Sequence, residues 1–319
     1  MTQATMAKII SWRRGALLHD STPVVAAIGN FDGVHKGHQH LIETARKQAQ
    51  MLDLPLAILT FSPHPRAFFR PQDPPFLIMD DVQKQRVLTE QGADIIVNIT
   101  FDEALRVSSP EEFVDEVLRP LEIVHLFAGA DFAFGKGRSG SIDMLAERAA
   151  QYGMKATAVS LAVDDHQMVI SSSRIRAALQ AGQVDLAADM LGRPFVISGA
   201  VLSGDKRGRT IGFPTANLAL DSQLQPAFGV YAVRATIGEG DNLRYADGVA
   251  NIGIRPTVND RGVLCEAHLF DFQDDIYGQR VEIALQGYVR AEMKFDGLDA
   301  LKAQIAKDTK TAKDILAQD

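Results

Sequence analysis

The sequence predicts an α/β protein of two domains. The first is a doubly wound parallel sheet with helices on both faces, and the second is an antiparallel β-barrel that ends in a helix. The chain has 319 residues, which suits two domains of about 150 residues each. Apolar strand-like runs alternate with helical patterns up to about residue 185, as in parallel sheets. After residue 191, strand-like runs follow one another between loops that carry glycine and proline.

Composition narrows the class of protein. Hydrophobic residues make up 46% and charged residues 23% of the chain, which is ordinary for a globular protein. A net charge of -7 disfavours a nucleic-acid binder with a broad basic surface. The single cysteine, Cys265, excludes an intramolecular disulfide and a four-cysteine zinc site. No apolar run is long enough for a signal peptide or a membrane span. We therefore expect a cytoplasmic protein without nucleic-acid or membrane partners, and its oligomeric state stays open.

The first domain is predicted to span residues 1–185. Short runs rich in valine and isoleucine predict its strands, which are Val24–Ile28, Leu56–Phe61, Ile95–Ile99 and Ile123–Ala128. Apolar residues at helical spacing predict its helices, which are His38–Leu52, Val82–Gln91, Glu111–Leu118 and Ile142–Tyr152. Parallel sheets bind ligands at the carboxyl ends of their strands, so the segments that follow these strands are the candidate sites.

The second domain is predicted to span residues 186–319, with the boundary within Gly182–Arg193. Its strand-like runs are Val196–Leu202, Val230–Thr236, Tyr245–Asn251, Cys265–Phe270 and Val281–Val289. The chain ends in a helical pattern that has Leu298, Leu301 and Ile305 on one face. This order indicates a small antiparallel barrel with a terminal helix.

A histidine motif follows the first predicted strand, in the segment Gly29–His38 (GNFDGVHKGH). The motif lies between a strand and a helix, and a helix N-terminus favours phosphate. His35 and His38 can donate hydrogen bonds to phosphate oxygens. The candidate phosphate-binding positions in this turn are Gly29, Asn30, Phe31 and Gly37. The alternative is two histidines in an ordinary polar turn, where they could also serve as zinc ligands. The H-x-G-H pattern resembles the signature of the nucleotidylyltransferase superfamily, whose members attack the α-phosphate of a nucleotide and release pyrophosphate.

Three further segments suggest a second substrate and more phosphate contacts. Phe61, His64 and Pro65 end the second strand, and Asp131 and Phe132 follow the fourth strand. At the start of a later helix, hydroxyl and guanidinium groups suit phosphates, and the candidates there are Ser172, Ser173 and Arg176. The alternatives are plain helix capping for the serines and core packing for the phenylalanines.

Together these four segments resemble the N-terminal module of the prokaryotic bifunctional riboflavin kinase/FMN adenylyltransferase family, often called FAD synthetase. The family pattern in the last segment reads I-S-S-T-x-x-R, and Ser173 replaces the threonine while keeping a hydroxyl. The resemblance implies ATP and FMN as substrates. It assigns ATP to the histidine turn, the flavin to the segments around Phe61 and Phe132, and the leaving pyrophosphate to the serine segment.

A second set of motifs lies in the C-terminal half. Closely spaced glycines with Lys and Arg suit a loop around phosphates, and the candidates are Gly204, Lys206, Gly208 and Arg209. This loop lacks the P-loop pattern. The oxygens of Thr215 and Asn217 are the hard ligands that Mg²⁺ requires, although a Pro-Thr turn is the structural alternative.

The segment Gly212–Asn217 (GFPTAN) resembles the riboflavin kinase signature. That resemblance implies that Thr215 and Asn217 hold Mg²⁺ and the phosphates of ATP, and that Glu266 is the catalytic base. It also implies flavin-binding positions at Asn251, Arg255 and Arg290. A carboxylate at position 266 could otherwise be an exposed strand charge. One carboxylate is sufficient to guide the proton away from an attacking hydroxyl.

The motifs lead to one prediction and two rivals. We predict that a C-terminal kinase makes FMN from riboflavin and ATP, and that an N-terminal adenylyltransferase converts FMN and ATP into FAD. In the first rival, only the nucleotidylyltransferase is active and the second domain is a flavin-binding regulatory module. In the second rival, the acceptor is pantetheine phosphate or nicotinate mononucleotide, which would not require the kinase-like domain.

Overall fold

A computed structural model describes residues 6–16, 22–202, 215–238, 240–254 and 262–318. The chain forms two compact units. Unit 1 consists of Met1–Asp73 and Asp81–Ile170, and unit 2 consists of Pro74–Asp80 and Ser171–Asp319. The predicted boundary between residues 185 and 186 therefore lies inside unit 2, and it stays a prediction for the domain boundary. Among the described residues, no helix is both long enough and apolar enough to cross a membrane.

Unit 1 contains a six-stranded parallel sheet in the order β1-β4-β3-β2-β5-β8. Its strands are β1 (Lys8–Trp12), β2 (Val24–Ile28), β3 (Leu56–Ser62), β4 (Ile95–Thr100), β5 (Ile123–Gly129) and β8 (Lys155–Val159). A two-stranded hairpin consists of β6 (Ala133–Phe134) and β7 (Gly140–Ser141). All residues of β2 are buried because both faces of this central strand are covered.

The helices of unit 1 cover both faces of the sheet. They are α1 (Lys36–Leu52), α2 (Pro65–Phe69), α3 (Asp81–Glu90), α4 (Glu103–Arg106), α5 (Pro110–Phe113) and α6 (Ile142–Ala150). A π-helical turn, Val114–Leu118, continues α5 directly. One core joins α6 and this turn to alternate residues of the strands, including Ala26 and Leu126. The other face receives α1 through Leu41, Ile42 and Ala45.

The predicted doubly wound sheet is confirmed, and the four predicted strands match β2 to β5 within one residue. Two edge strands, β1 and β8, were not predicted. β1 contributes the fully buried Trp12 to the core, but its sequence KIISW has only a short apolar pattern. β8 is largely exposed, so little apolar patterning marks it. An edge strand is stabilised mainly by its pairing with the neighbouring strand, and the local sequence shows little sign of that pairing.

Unit 2 contains a six-stranded antiparallel sheet in the order β10-β13-β12-β11-β14-β9. Its strands are β9 (Phe195–Ala200), β10 (Ala216–Ala219), β11 (Gly229–Ile237), β12 (Arg244–Ile254), β13 (Val263–Leu269) and β14 (Arg280–Ala291). The chain beyond β9 meets β10 through a hydrogen bond of 2.8 Å from the Leu202 amide to the Asn217 carbonyl. The sheet therefore nearly closes, which confirms the predicted barrel class.

Among the described residues, three α-helices accompany this sheet, namely α7 (Ser172–Gln180), α8 (Val184–Leu191) and α9 (Leu298–Leu316). The terminal helix was predicted correctly, and at helical spacing the predicted face with Leu298, Leu301 and Ile305 continues through Asp308, Ala312 and Leu316. Leu298 is 51% exposed, whereas Asp308, Ala312 and Leu316 are buried. The later residues face the outer surface of the barrel, where Ala312 and Leu316 pack with Val230, Ala232 and Val249.

Two candidate active sites

The first candidate site lies at the switch in strand order of unit 1. From β2 the chain builds the sheet in one direction through β3 and β4, and it then returns to place β5 on the other side of β2. A crevice forms at the carboxyl ends of strands at such a switch. The histidine turn follows β2, the Phe61–Pro65 segment ends β3, and Asp131 and Phe132 follow β5. Three separately predicted segments therefore meet at one edge of the sheet.

The two histidines of the turn stack on each other. Their ring centroids are 3.7 Å apart and their planes differ by 17°. His35 is the N-cap of α1, and its Nδ1 atom accepts a hydrogen bond of 3.3 Å from the His38 amide. That bond requires an unprotonated Nδ1, so the neutral tautomer of His35 carries its proton on Nε2. Both rings thus lie at the positive end of the α1 dipole, which favours anions.

His38 is held neutral by its surroundings. Burial of its ring, followed by the neighbouring His35, lowers the pKa of His38 well below its ordinary value of 6.5. Its side chain is half-buried, while its Nδ1 atom is fully buried and has no hydrogen-bond partner among the described residues. A buried polar atom without a partner is costly unless a ligand satisfies it. At neutral pH the His38 ring is therefore an uncharged group that can form hydrogen bonds.

The backbone of the turn is held close to these rings. A Cβ atom on Gly37 would lie 3.1 Å from Nδ1 of His35 and 3.3 Å from the carbonyl oxygen of Ile170. Phe31 and Val34 are fully buried and adopt positive φ angles of 49° and 38°. Bulky residues rarely adopt this conformation, and it persists where the surroundings impose it, often at functional sites. The turn therefore has a fixed shape before any ligand binds.

A cluster of aromatic rings lies at the carboxyl ends of β3 and β4. Phe61 ends β3 and is buried, and its ring centroid is 6.1 Å from that of Phe101, which follows β4. Phe68 and Phe69 of α2 contact Phe101 at 5.3 Å and 5.6 Å. Phe69 is 56% exposed, so the cluster presents a ring to solvent. The sequence prediction named Phe61 but missed the other three residues, although the F-F pair two residues after S-P-H-P was a visible signal.

The other predicted flavin contacts have local roles as well. The Nδ1 atom of His64 caps α2 by accepting a hydrogen bond of 3.0 Å from the Arg66 amide, and Pro65 is the first residue of that helix. Phe132 stacks on Phe134 with centroids 5.6 Å apart. It is only half-buried, so core packing does not account for the whole ring. Asp131 is exposed beside it.

The predicted serine segment opens α7, which belongs to unit 2. Ser171 is the N-cap, as in the alternative interpretation, and its hydroxyl accepts a hydrogen bond of 3.3 Å from the Arg174 amide. Ser172 and Ser173 form the first turn of the helix. The Nε atom of Arg176 donates to the Phe76 carbonyl at 2.8 Å, and its guanidinium lies 5.4 Å from the Phe76 ring centroid. Their role toward phosphate stays a prediction.

The second candidate site is a row of polar side chains on the barrel of unit 2. Asn217 on β10 is paired directly with Glu266 on β13, and Glu266 is paired with Asn251 on β12. Residues that are directly opposite in an antiparallel sheet point to the same face. All three are half-buried, whereas the flanking Cys265 and Ala267 point inward and are fully buried. Strand register therefore brings together three residues that the sequence separates widely.

Asn217 has an unsatisfied group in this row. Its Oδ1 atom is buried and has no hydrogen-bond partner within the described part of the chain. A hard oxygen in this state fits a divalent cation such as Mg²⁺. Thr215, the second predicted ligand, immediately precedes β10 and is half-buried. The described residues contain no group of three or more His, Cys, Asp or Glu that could hold a metal ion, so the histidine pair of unit 1 has no zinc cluster there.

Glu266 and its neighbour on β13, Cys265, differ in burial. Cys265 points into the barrel, where burial, with a smaller effect of Glu266, raises the pKa of the thiol to about 12. The thiol is therefore not a nucleophile at neutral pH. Glu266 is on the opposite face, with the paired amide side chains on either side. The carboxylate is thus the group of this row that can accept a proton.

Arg290, predicted to bind flavin, lies on the same row but has another partner. It is paired with Val230, which is paired with Asn251. Its Nε and Nη2 atoms donate to the buried carboxylate of Asp308 on α9, at 2.9 Å and 2.7 Å. Arg290 therefore fastens the terminal helix beside the row. The predicted positions Gly204, Lys206, Gly208, Arg209 and Arg255 lie outside the described residues.

Comparison with known proteins links each unit to one activity. The family model for FAD synthetase matches residues 18–174, and the model for riboflavin kinase matches residues 191–316. The chain is 40% identical to the bifunctional riboflavin kinase/FMN adenylyltransferase of Haemophilus influenzae, over 93% of this chain and 96% of that one. It is 39% identical to the Bacillus subtilis protein of the same name, over 90% and 91% of the two chains.

A solved structure supports the whole fold. A Streptococcus pneumoniae protein, described as a macrolide-efflux protein, has a TM-score of 0.83 and 30% sequence identity. The match covers 96% of this chain and 98% of that one. Its name differs from those of the curated relatives. We give more weight to the two family models because they span the histidine turn and the Asn217–Glu266–Asn251 row.

Proposed function

This chain belongs to the family of bifunctional riboflavin kinase/FMN adenylyltransferases, and we propose that it makes FMN and FAD in series at two separate sites. Unit 2 phosphorylates riboflavin with ATP, and unit 1 transfers the adenylyl group of a second ATP to FMN and releases pyrophosphate. The observation that carries this proposal is that unit 1 contains the stacked histidines and unit 2 contains the polar row. We propose that this chemistry takes place in the cytoplasm.

At the kinase site, the row supplies a proton acceptor between two amides. Glu266 takes or guides the proton of the ribityl 5′-hydroxyl while the oxygen attacks the γ-phosphorus of ATP and ADP leaves. Asn251 is on one side of the carboxylate and Asn217 is on the other. Arg290 acts on the site indirectly, because its bonds to Asp308 hold α9 against the outer face of the barrel.

Magnesium is the cation that fits the ligands of this site. When bound, Mg²⁺ neutralises charge on the transferring phosphate. Asn217 would hold it, since its buried oxygen has no protein partner within the described residues, and Thr215 would supply the second oxygen. Both are hard ligands of the kind that Mg²⁺ prefers. Mg²⁺ is proposed for the first site as well, with ATP as co-substrate at both.

At the adenylyl site, the protein needs no nucleophile of its own. The FMN phosphate is already an anion and attacks the α-phosphorus of ATP, so positioning and charge stabilisation are what the chain supplies. Gly29, Asn30, Phe31 and Gly37 shape the turn around the phosphates. His35 and His38 donate hydrogen bonds to oxygens that gain charge as the bond to pyrophosphate breaks. Ser172, Ser173 and Arg176 are proposed to hold the pyrophosphate.

The flavin ring is proposed to bind against the aromatic residues near the same sheet edge. Stacking between aromatic rings stabilises contacts beyond the burial of their area. Phe69 offers its exposed ring, which contacts Phe101, and Phe101 in turn contacts Phe61. Phe132, His64, Pro65 and Asp131 complete the proposed flavin contacts at this site.

One time course tests the two activities together. The protein is incubated with riboflavin, ATP and Mg²⁺, and flavins are separated by chromatography over time. We expect FMN to appear first and FAD to follow, and FMN supplied directly should yield FAD without a lag. FAD from added FMN, with no FMN from riboflavin, would favour the rival in which unit 2 only binds flavin. No FAD from either substrate would contradict the adenylyl assignment.

A further inference from the structure

The histidine turn contains a strained stretch of backbone, residues 31–34. Phe31 and Val34 have φ angles of 49° and 38°, and Gly33 between them has a φ angle of 87°. Glycine adopts such angles readily, whereas a β-branched residue such as valine adopts them rarely. A stretch of this kind persists only where its surroundings hold it in place. Side chains from the flanking strand and helix are therefore expected to restrain it.

Thr60 restrains the beginning of this stretch. It lies on β3, and its hydroxyl group donates a hydrogen bond of 3.2 Å to the carbonyl of Asn30, the residue before Phe31. Thr60 is 0% exposed, and the other residues of β3 from Leu56 to Phe61 are apolar. A valine would suit a buried strand position of this size, and a buried hydroxyl is costly unless it forms a hydrogen bond. The bond to the turn therefore accounts for a threonine at this position.

Gln39 restrains the end of the same stretch. It lies in the first turn of α1, and its Nε2 atom donates a hydrogen bond of 2.8 Å to the carbonyl of Val34. A carbonyl oxygen can only accept a hydrogen bond, so the amide nitrogen of Gln39 must face it. The backbone amide of Gln39 donates to the carbonyl of His35 at 2.9 Å. The side chain and the backbone of one residue thus hold two successive carbonyls of the turn.

The two side-chain bonds lie on either side of the strained residues. One comes from the central sheet and the other from the helix that the turn begins, so the turn is tied to both of the elements that it connects. Neither Thr60 nor Gln39 is among the proposed phosphate-binding positions. A turn that is held in shape before a ligand arrives does not have to be ordered during binding, which favours affinity.

We infer that Thr60 and Gln39 are positioning residues for ATP in FMN adenylylation. They hold residues 31–34 in the shape that the turn offers to ATP, and this inference rests on the function proposed for unit 1. If the turn has that shape for only a fraction of the time, the apparent dissociation constant rises by the inverse of the fraction. Once ATP is bound, the turn has its ordinary shape again. The signature is therefore a higher KM for ATP, with kcat and the KM for FMN largely kept.

The kinetic test measures FAD formation from added FMN with the full chain. Thr60→Val keeps the shape of the side chain but removes the donor, and Gln39→Met keeps the length of the side chain and suits a helix. Each substitution should raise the KM for ATP about fivefold, as expected for the loss of one ordinary hydrogen bond. Thr60→Ser keeps the hydroxyl group and should recover most of the affinity. FMN formation from riboflavin should not change in any of these variants.

Two matched controls make the same changes away from the turn. Thr157→Val alters a threonine of the same sheet, whose hydroxyl lies 2.8 Å from Nε2 of His125. Gln50→Met alters an exposed glutamine near the other end of α1. Both controls should keep the KM for ATP of the unaltered protein.

Amide hydrogen exchange tests the restraint without any reaction. Exchange reports local opening of the backbone, and it is measured by mass spectrometry on the protein without ligands. Peptides that cover residues 29–38 should exchange faster in Thr60→Val and Gln39→Met than in the unaltered protein. Thr60→Ser and the two controls should exchange like the unaltered protein in this segment.

The outcomes separate this inference from the proposed function. An unchanged KM for ATP in both Thr60→Val and Gln39→Met would overturn the inference, as would an equal rise in the controls. A fall of both reactions together with a lower melting temperature would also overturn it, because that would show general destabilisation. If the unaltered protein forms no FAD from FMN, the proposed function fails, and the role in ATP binding fails with it. The exchange comparison would then still decide whether the two side chains hold the turn.

Discussion

The two candidate sites are built in opposite ways. In unit 1, the histidine turn is one continuous segment, and a helix N-terminus, two glycines and a pair of stacked rings determine its shape. In unit 2, the polar row is assembled from three strands through register alone. A slip of one residue would turn Glu266 into the barrel. The comparison teaches that the first site depends on local backbone geometry, whereas the second depends on long-range pairing.

The largest effect is expected from a substitution of Glu266 in the polar row. Glu266→Gln keeps the size of the side chain and its place on β13 but removes the proton acceptor. We expect FMN formation from riboflavin to fall by about 10²–10⁴-fold, the usual contribution of a general base. FAD formation from added FMN should be unchanged, since that chemistry is proposed for unit 1. The two rates are measured on one preparation.

The control for this substitution is Glu282→Gln, which alters another half-buried strand carboxylate of unit 2. It should leave both reactions intact. Near-normal FMN formation in Glu266→Gln would mean that the carboxylate is only a strand charge. Loss of both reactions would indicate misfolding, which circular dichroism would detect.

The second largest effect is expected from a substitution of His38 in the histidine turn. His38→Ala should reduce FAD formation from FMN by about 10²-fold, as for loss of one transition-state donor, while FMN formation from riboflavin continues. His40→Ala is the matched control, because His40 is on the same helix but is exposed. If the two variants retain equal FAD synthesis, His38 has no part in the reaction.

The same contrast explains what the sequence could predict. Motifs contained in one segment, such as residues 29–38, were assigned to a strand-to-helix turn because the flanking patterns fix their position. The arrangement of the row could not be predicted from the sequence, because the pairing of Asn217 with Glu266 depends on which strands become neighbours. β10 itself was not predicted as a strand, because four residues carry too little pattern to predict one. Only the resemblance to a family suggested that these residues act together.

Some features that the sequence did not reveal have a direct physical cause. The apolar face of α9 was predicted from Leu298, Leu301 and Ile305, and its contact with the barrel is at the C-terminal end of that face, near Ala312 and Leu316. The ion pair between Asp308 and Arg290 lies on that face, and a charged residue is not expected at a buried position. Similarly, Phe101 is near the flavin segment only because β4 is next to β3, where the Phe101 amide donates to the Ser62 carbonyl at 3.0 Å.

The smallest effect concerns the stability of unit 1 and uses the lowered pKa of His38. Because burial keeps the ring neutral in the folded chain, the unfolded chain binds a proton first as the pH falls. The stabilisation is therefore fully present above the ordinary pKa of 6.5 and is lost as the pH decreases toward the lowered value.

The variant His38→Asn has no imidazole at this position and cannot take up this proton. We expect the melting temperature of the unaltered protein to fall relative to that of His38→Asn as the pH is lowered from neutral to about 5, the range in which histidine titrates. The other titratable groups are the same in both proteins, so their effects cancel in the difference between the two melting temperatures. A difference that does not change with pH would show that the stacked ring is protonated normally, and the first site would then carry a positive charge that the geometry of the turn does not provide.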